Sequence, residues 1–253
     1  MSNTVVIIPS RLKAKRLPNK PLKLINKKEM ILHVCDLAKN SGVGKVLVAT
    51  PDKDIFQLIK KNNYDAYLSL QNHETGTDRV FEAYKNFFSE KPSIIINLQG
   101  DMPSLKPSTI FKLNEHLAKG SCDMATLASG IKDDSENENK NIVKVITKDD
   151  IKNSELSKAI DFVRDPVSDK KLFVYHHIGI YGFTKNALNK YINLKRSNLE
   201  LSRNLEQMRA LENNMKIDVL YTDSDPLSVD TCLLYTSDAA DEGLGVDLGG
   251  RRI

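Results

Sequence analysis

The chain has 253 residues, 40% hydrophobic and 28% charged, which supplies enough apolar surface for a packed core and excludes wholesale disorder. No apolar run approaches the roughly 20 residues of a membrane span, and the run from Val5 to Ile8 is too short for a signal-peptide core. Three widely spaced cysteines exclude a disulfide scaffold and a cysteine-rich zinc site, so the expected location is a reducing cytoplasm. A net charge of +4, with 6% aromatics and no Trp, argues against a nucleic-acid platform and leaves room for small anionic substrates.

Residues 4–9 (TVVIIP) read as a buried strand, almost wholly apolar and β-branched. A basic loop follows, then an amphipathic segment from Met30 to Ala38. Lys45–Thr50 is a second buried strand and Asp52–Asn62 a one-sided helix with Asp52 as its cap. Ala66–Leu68 is a short strand, Thr77–Phe88 a helix, Ser93–Leu98 a buried strand and Pro107–Leu117 another helix. Buried strands alternating with one-sided helices predict a mostly parallel sheet covered on both faces: a three-layer, Rossmann-like α/β fold. Residues 129–140 are polar and acidic and read as a solvated loop. Asn141–Thr147 and Leu172–Phe183 read as strands, Leu199–Asn213 as one helix and Ile217–Tyr221 as a late strand. The expected organisation is an α/β core from residues 1–128 and 199–231, with a strand-rich inserted lobe at 129–198.

Residues 232–253 break the pattern. The segment CLLYTSDAADEGLGVDLGGRRI contains four Gly, no Lys and no Asn, whereas the preceding chain is rich in Lys and Asn. It resembles translated sequencing-adapter read-through and is set apart as a non-native tail. Without it the net charge is +6.

Four constellations carry chemistry. In the first, the strand ending at Pro9 opens into Ser10 and a loop bearing Arg11, Lys13, Lys15, Arg16 and Lys20. Ligands of open α/β sheets bind beyond the carboxyl ends of strands, where forked Arg donors and Lys point charges suit phosphates. Charge alone reads more readily as a solvated basic loop, and no Gly-rich P-loop is present. In the second, Thr75, Gly76 and Thr77 precede Asp78 and Arg79 at a helix start, which serves either as an anion site or as an N-capping turn. In the third, Gln99-Gly100-Asp101 follows a buried strand; Asp101 is either a turn residue or a carboxylate facing phosphates, which implies Mg²⁺. In the fourth, Asp230 follows the last strand within Ser228–Thr231; by itself it reads more readily as a loop residue, and it becomes a second metal ligand if the sheet brings it opposite Asp101.

Taken in order, these pieces resemble the 3-deoxy-manno-octulosonate (Kdo) cytidylyltransferase family. The resemblance rests on Ile8-Pro9-Ser10-Arg11 with Arg16-Leu17-Pro18 and Lys20-Pro21-Leu22; on His73 with Thr75 to Arg79; and on Asn97, Gln99, Gly100, Asp101 and Pro103. It continues through Asn141-x-Val143-Lys144-Val145, His177-x-Gly179-Ile180-Tyr181, Leu205-Glu206-Gln207-x-Arg209 and Val229-Asp230-Thr231, covering residues 4–231. The family departs at three positions, here Ala14, Met102 and Val163, and after Thr231, where it continues with Pro and a closing helix.

The resemblance implies transfer of CMP from CTP to Kdo, forming CMP-Kdo and pyrophosphate for lipopolysaccharide biosynthesis. Pro9, Ser10, Arg11, Arg16, Lys20, Thr75, Gly76, Thr77 and Arg79 would then hold the nucleotide. Asp101 and Asp230 would hold Mg²⁺ and, with Lys20, form the catalytic set. Gln99, Arg164, His177, Tyr181, Glu206 and Gln207 would face the sugar acid, and the 129–198 lobe would contribute to sugar binding and to a homodimer. The competing readings are a cytidylyltransferase for another acidic sugar, such as sialic acid or 8-amino-Kdo, and a nucleotide-binding chain without turnover. A nicotinamide-dependent oxidoreductase is disfavoured because no G-x-G-x-x-G follows the first strand.

Overall fold

The protein is described here by a computed structural model covering residues 3–13 and 17–223. The first apolar run forms β1 (Thr4–Pro9), buried along its whole length. After the basic loop, a small hairpin of β2 (Leu24–Ile25) and β3 (Lys28–Glu29) leads into α1 (Met30–Asn40). There follow β4 (Lys45–Thr50), α2 (Lys53–Lys61), β5 (Asp65–Leu68), α3 (Gly76–Phe87), β6 (Ile94–Asn97) and α4 (Pro107–Ala118), the alternation expected from hydrophobic patterning. Helix starts have local causes. Thr75 caps α3 by accepting the Asp78 N–H at 3.2 Å. Pro107 opens α4, where the missing N–H would have had no intrahelical partner.

The remaining elements are β7 (Met124–Ser129), α5 (Asp134–Glu138), β8 (Lys144–Thr147), α6 (Ile151–Ser154), β9 (Leu156–Val163), β10 (Phe173–Thr184), α7 (Lys185–Ile192), α8 (Asn198–Arg203), α9 (Gln207–Glu212) and β11 (Ile217–Tyr221). The single helix expected over Leu199–Asn213 is two helices. Asn204 adopts the left-handed conformation (φ 53°) and ends α8, a geometry that Asn tolerates better than most residues. The expected loop at 129–140 contains α5, capped by Asp133 through the Glu136 N–H.

All strands except β2 and β3 join one nine-stranded sheet, ordered β5-β4-β1-β6-β10-β7-β11-β9-β8. It is mixed, not mostly parallel. Strands β5, β4, β1 and β6 are parallel, but β10 runs antiparallel to both β6 and β7. Apolar runs report burial and say little about direction, which is why the sequence reading overstated parallelism. Strand β8 also pairs with β10, so β10, β7, β11, β9 and β8 close a circuit of five strands. The 129–198 segment is thus strand-rich, and its strands are continuous with the main sheet.

Alternate residues of β1 feed opposite faces. Val6 and Ile8 pack with Ile31, Val34, Ile55, Ile59, Ile110 and Leu113, from α1, α2 and α4. Val5 and Ile7 pack with Val80, Tyr84, Leu188 and Tyr191, from α3 and α7. On β10, Gly182 lets α4 approach the sheet. A Cβ there would stand 2.1 Å from Leu117 Cδ1 and 3.4 Å from Leu113 Cγ, both in fully buried side chains. Gly182→Ala is therefore expected to cost about 1–3 kcal/mol by overpacking. Urea unfolding checks this: the midpoint falls while the slope stays unchanged.

Candidate functional site

Strand β1 has β4 on one side and β6 on the other, so the crossovers leaving and re-entering its neighbourhood diverge at its carboxyl end. Such a divergence opens a crevice at the strand ends. Here it is a cleft of about 800 Å³, floored by Pro9, Ser10 and Gly100 and walled by Arg11, Lys20, Thr75, Gly76, Arg79, Gln99 and Asp101. Three of the four sequence constellations therefore meet in one place. Gly100 makes the junction tight: a Cβ on it would lie 3.3 Å from the Pro9 carbonyl oxygen and 3.3 Å from Ile31 Cδ1. Arg16 and Asp230 lie outside the described residues.

The cleft is built for negative charge. Arg11, Lys13, Lys20 and Arg79 line it, against Glu74 and Asp101. Arg79 is buried, and its Nε has no hydrogen-bond partner among the described residues. Burial, and then the neighbouring Arg11, lower its pKa, against the opposing pull of Asp52, Glu82 and Asp78. The buried Ser10 hydroxyl also lacks a partner among the described residues, while its backbone N–H is held by the Ala49 carbonyl at 2.9 Å. An anion with several oxygens satisfies such donors. Asp101 Oδ2 accepts from Lys20 Nζ at 2.7 Å, and both side chains remain partly open to solvent.

The expected sugar-facing residues divide. Gln99 lines the cleft and donates from Nε2 to Asn97 Oδ1 at 3.1 Å; Asn97 in turn donates from Nδ2 to Thr77 Oγ1 at 3.0 Å. Thr77 is buried, and its N–H donates to Glu206 Oε2 at 3.3 Å, so it belongs to this polar chain and does not line the cleft. Burial raises the Glu206 pKa, with the Thr77 contacts working against the rise. Beside it, Tyr181 donates its hydroxyl to Gln207 Oε1 at 3.0 Å, and Gln207 Nε2 is buried without a partner among the described residues.

His177 packs edge-on against Phe162 and close to Tyr181. Burial, followed by the charges of His176 and Arg164, pushes its pKa down to about 3, so its ring is neutral at physiological pH. Its Nε2 lies 2.9 Å from Thr126 Oγ1, whose own hydroxyl lies 2.7 Å from the Ile180 carbonyl. The hydroxyl has one proton to give, so His177 carries its proton on Nε2 and donates it to Thr126. Arg164 stands apart from the cleft. Its guanidinium donates to the Asn141 carbonyl at 3.1 Å and the Lys140 carbonyl at 3.4 Å. Lys144, fully buried, donates to the carbonyls of Asn139 and Arg164 at 2.9 and 2.8 Å and so ties the same two segments together.

Sequence reasoning missed the support behind α3. Arg209 is buried on α9, lies 4.6 Å from the Tyr191 ring centroid and makes a forked contact with Glu200 (2.8 and 2.7 Å). It also donates to Asp78 Oδ1 at 3.3 Å, while Asp78 Oδ2 accepts the Thr75 hydroxyl at 2.8 Å. Burial opposes the Arg209 cation, but the Glu200 carboxylate outweighs that cost and raises its pKa. Arg209 stands in the L-E-Q-x-R stretch, and nothing in the spacing of that stretch points it at Asp78.

Known proteins share both this sequence and this fold. A cytidylyltransferase family model matches residues 5–217. The chain is 39% identical over 230 residues to the 3-deoxy-manno-octulosonate cytidylyltransferase of Bartonella tribocorum, covering 90% of this chain and 93% of that one. It is 38% identical over 229 residues to the enzyme of the same name from Brucella anthropi, covering 90% and 92%. A solved CMP:2-keto-3-deoxy-manno-octonic acid synthetase complexed with CTP superposes with a TM-score of 0.84 at 30% identity, over 95% of this chain and 98% of that one. A Bacillus anthracis structure described as a glucose-1-phosphate thymidylyltransferase shares the fold at 15% identity and a TM-score of 0.67. By sequence and by structure, the chain belongs to the cytidylyltransferase family, among the 3-deoxy-manno-octulosonate cytidylyltransferases.

Proposed function

We propose that this chain transfers CMP from CTP to Kdo, yielding CMP-Kdo and pyrophosphate for lipopolysaccharide biosynthesis. The observation that carries the reading is the meeting of the Pro9–Lys20 loop, the start of α3 and Gln99–Asp101 in one cationic cleft, in a chain whose 30%-identical structural relative is a synthetase complexed with CTP. We read the core, with helices on both faces of the sheet, as the three-layer, Rossmann-like nucleotidyltransferase arrangement. Cytoplasmic location and a homodimer built partly by the 129–198 lobe belong to the same reading. No helix among the described residues is long and apolar enough to cross a membrane.

The reaction is a displacement at phosphorus. The anomeric hydroxyl of the sugar acid loses its proton to solvent as its oxygen bonds to the α-phosphorus, the bond to the bridging oxygen breaks, and pyrophosphate leaves with the electron pair. Positioning and charge neutralisation supply most of such catalysis. Arg11, Lys20 and Arg79, with Arg16, hold the triphosphate and stabilise charge developing on the leaving group. Thr75 and Gly76 shape the wall against the nucleotide. Thr77 acts from behind, fixing Asn97 and Glu206. In this reading Gln99 faces the sugar from the cleft, Tyr181, Glu206, Gln207 and the buried His177 form the polar layer behind it, and Arg164 meets the sugar carboxylate only by leaving the Lys140 and Asn141 carbonyls that now hold it. The donor set fits Mg²⁺: Asp101 presents a hard carboxylate oxygen on a cleft wall with room for phosphate oxygens, and Asp230 is the second ligand of this reading. When bound, the ion neutralises phosphate charge and orients the α-phosphate.

Pyrophosphate release by the purified chain with CTP, Kdo and Mg²⁺ tests the reading, each component being omitted in turn and N-acetylneuraminate replacing Kdo in a parallel arm. The expected result is release that requires all three components and falls at least tenfold with the alternative sugar. A folded chain silent with Kdo, or one that prefers the other acid, overturns it.

A further inference from the structure

The end of the sheet opposite the cleft holds a second cluster that the transfer reaction does not use. Strands β7 and β11 run parallel, with Ile217 paired to Met124, so their amino ends lie together. Cys122 stands just before β7, Asp218 is the second residue of β11, and His116 is in the last turn of α4, which packs on β7. All three side chains are buried, and one ligand atom from each (imidazole nitrogen, sulfur and carboxylate oxygen) lies within 4.8 Å of the other two. His116 Nε2 and Asp218 Oδ2 are 2.8 Å apart. Lys158, opposite Asp218 on β9, pairs with Asp218 Oδ1 and keeps about half its side chain in solvent.

This constellation resembles a Cys-His-Asp nucleophilic triad and is poorly suited to be one. Burial and the carboxylate of Asp218 push the Cys122 thiol up to about 12, so no thiolate is available for attack. One nitrogen, one sulfur and one carboxylate oxygen are, however, the donor mix of borderline-soft divalent ions, unlike the all-oxygen preference of Mg²⁺. A tetrahedral ion with bonds of about 2.0–2.3 Å sets its ligands roughly 3.5 Å apart, so the His116–Asp218 pair, now 2.8 Å apart, opens slightly and the three ligand atoms, all within 4.8 Å, need only small shifts.

We propose that His116, Cys122 and Asp218 form a metal site for a zinc-class divalent cation, separate from the catalytic cleft, with solvent as fourth ligand. Binding releases the thiol proton to solvent, and the proton between His116 Nε2 and Asp218 Oδ2 passes to His116 Nδ1, which frees Nε2 and the carboxylate for the ion. The charges then close: thiolate and carboxylate balance the ion, and Lys158, half-exposed, swings into water. Because the site joins α4 to β7 and β11, its occupation stiffens the amino end of the sheet.

Titration of the full-length chain with Co²⁺ alone tests this. The expected result is a one-to-one endpoint with a thiolate-to-cobalt charge-transfer band, which a carboxylate site at Asp101 cannot produce. Cys122→Ser abolishes the band, while His116→Gln, the second variant should the first fold poorly, weakens cobalt binding at least about tenfold. Lys158→Met, by removing the competing cation, tightens it. Zn²⁺ raises the melting midpoint of the parent chain and not of Cys122→Ser. No charge-transfer band in the folded parent overturns the proposal, as does a band that survives Cys122→Ser and therefore belongs to Cys35 or Cys232.

Discussion

Asp101→Asn is expected to lower pyrophosphate release at saturating substrate by at least about a hundredfold, with the fold intact. The group is partly exposed on a cleft wall, so its loss leaves no buried charge unpaired. Its position after β6 sets the carboxylate on the same cleft as Lys20, Arg11 and Arg79, where the proposed reaction places the phosphate oxygens. Losing one preorganised charge partner of a phosphoryl transition state typically costs about 10²–10³ in turnover. Two roles for Asp101 must be told apart: holding Mg²⁺, or only holding Lys20, 2.7 Å away. If it holds the ion, Asp101→Asn shifts the Mg²⁺ dependence to higher concentration, and Lys20→Met does not. If it serves only to anchor Lys20, the two variants lose activity alike and neither moves the Mg²⁺ curve. Equal curves would remove Asp101 from the metal site.

The parts of this molecule that were legible in the sequence share a physical property. In β1 and β6 an apolar run breaks abruptly into polar residues, at Pro9-Ser10-Arg11 and at Asn97-Leu98-Gln99, so strand, end and ligand face are written in a few adjacent positions. The α3 start is likewise local, because Thr75 meets its own helix. What was missed depends on distant partners. Strand β7 (MATLAS) carries small and hydroxyl side chains whose burial is decided by α4 and β10 packing over them. Strand β9 shows Lys158 and the apolar Ile160 to solvent while the half-buried Asp161 pairs with Arg203, so its sequence gives no clean alternation. The direction of β10 leaves no mark on its composition. Thr77 looked like a nucleotide ligand beside Thr75, yet the helix turns it inward onto Asn97 and Glu206, from another strand and another helix.

Arg209 belongs to that second kind, and its replacement carries the other large expected effect. Its guanidinium is buried beneath Tyr191, forked to a Glu200 carboxylate that is itself 1% exposed. Removing one member of a buried, hydrogen-bonded ion pair costs about 3–5 kcal/mol, because the remaining charge is left without compensation. Arg196 stays on Glu200 through Nε at 2.9 Å, which places Arg209→Met near the lower end, about 3 kcal/mol. In a chain of this size that is a fall of roughly 6–12 °C in melting midpoint. Structural loss alone would stop there. The contact with Asp78, and through it the Thr75 hydroxyl, ties the same guanidinium to the cleft wall. Arg209→Met is therefore also expected to raise KM for CTP several-fold at a temperature where the variant is fully folded, with a smaller change in kcat. Arg209→Lys keeps the charge but cannot reach Glu200 and Asp78 together, since a point charge lacks the fork. It should recover part of the melting midpoint and little of the KM. A variant that melts early but binds CTP as the parent does would make Arg209 a pillar of the fold and nothing more.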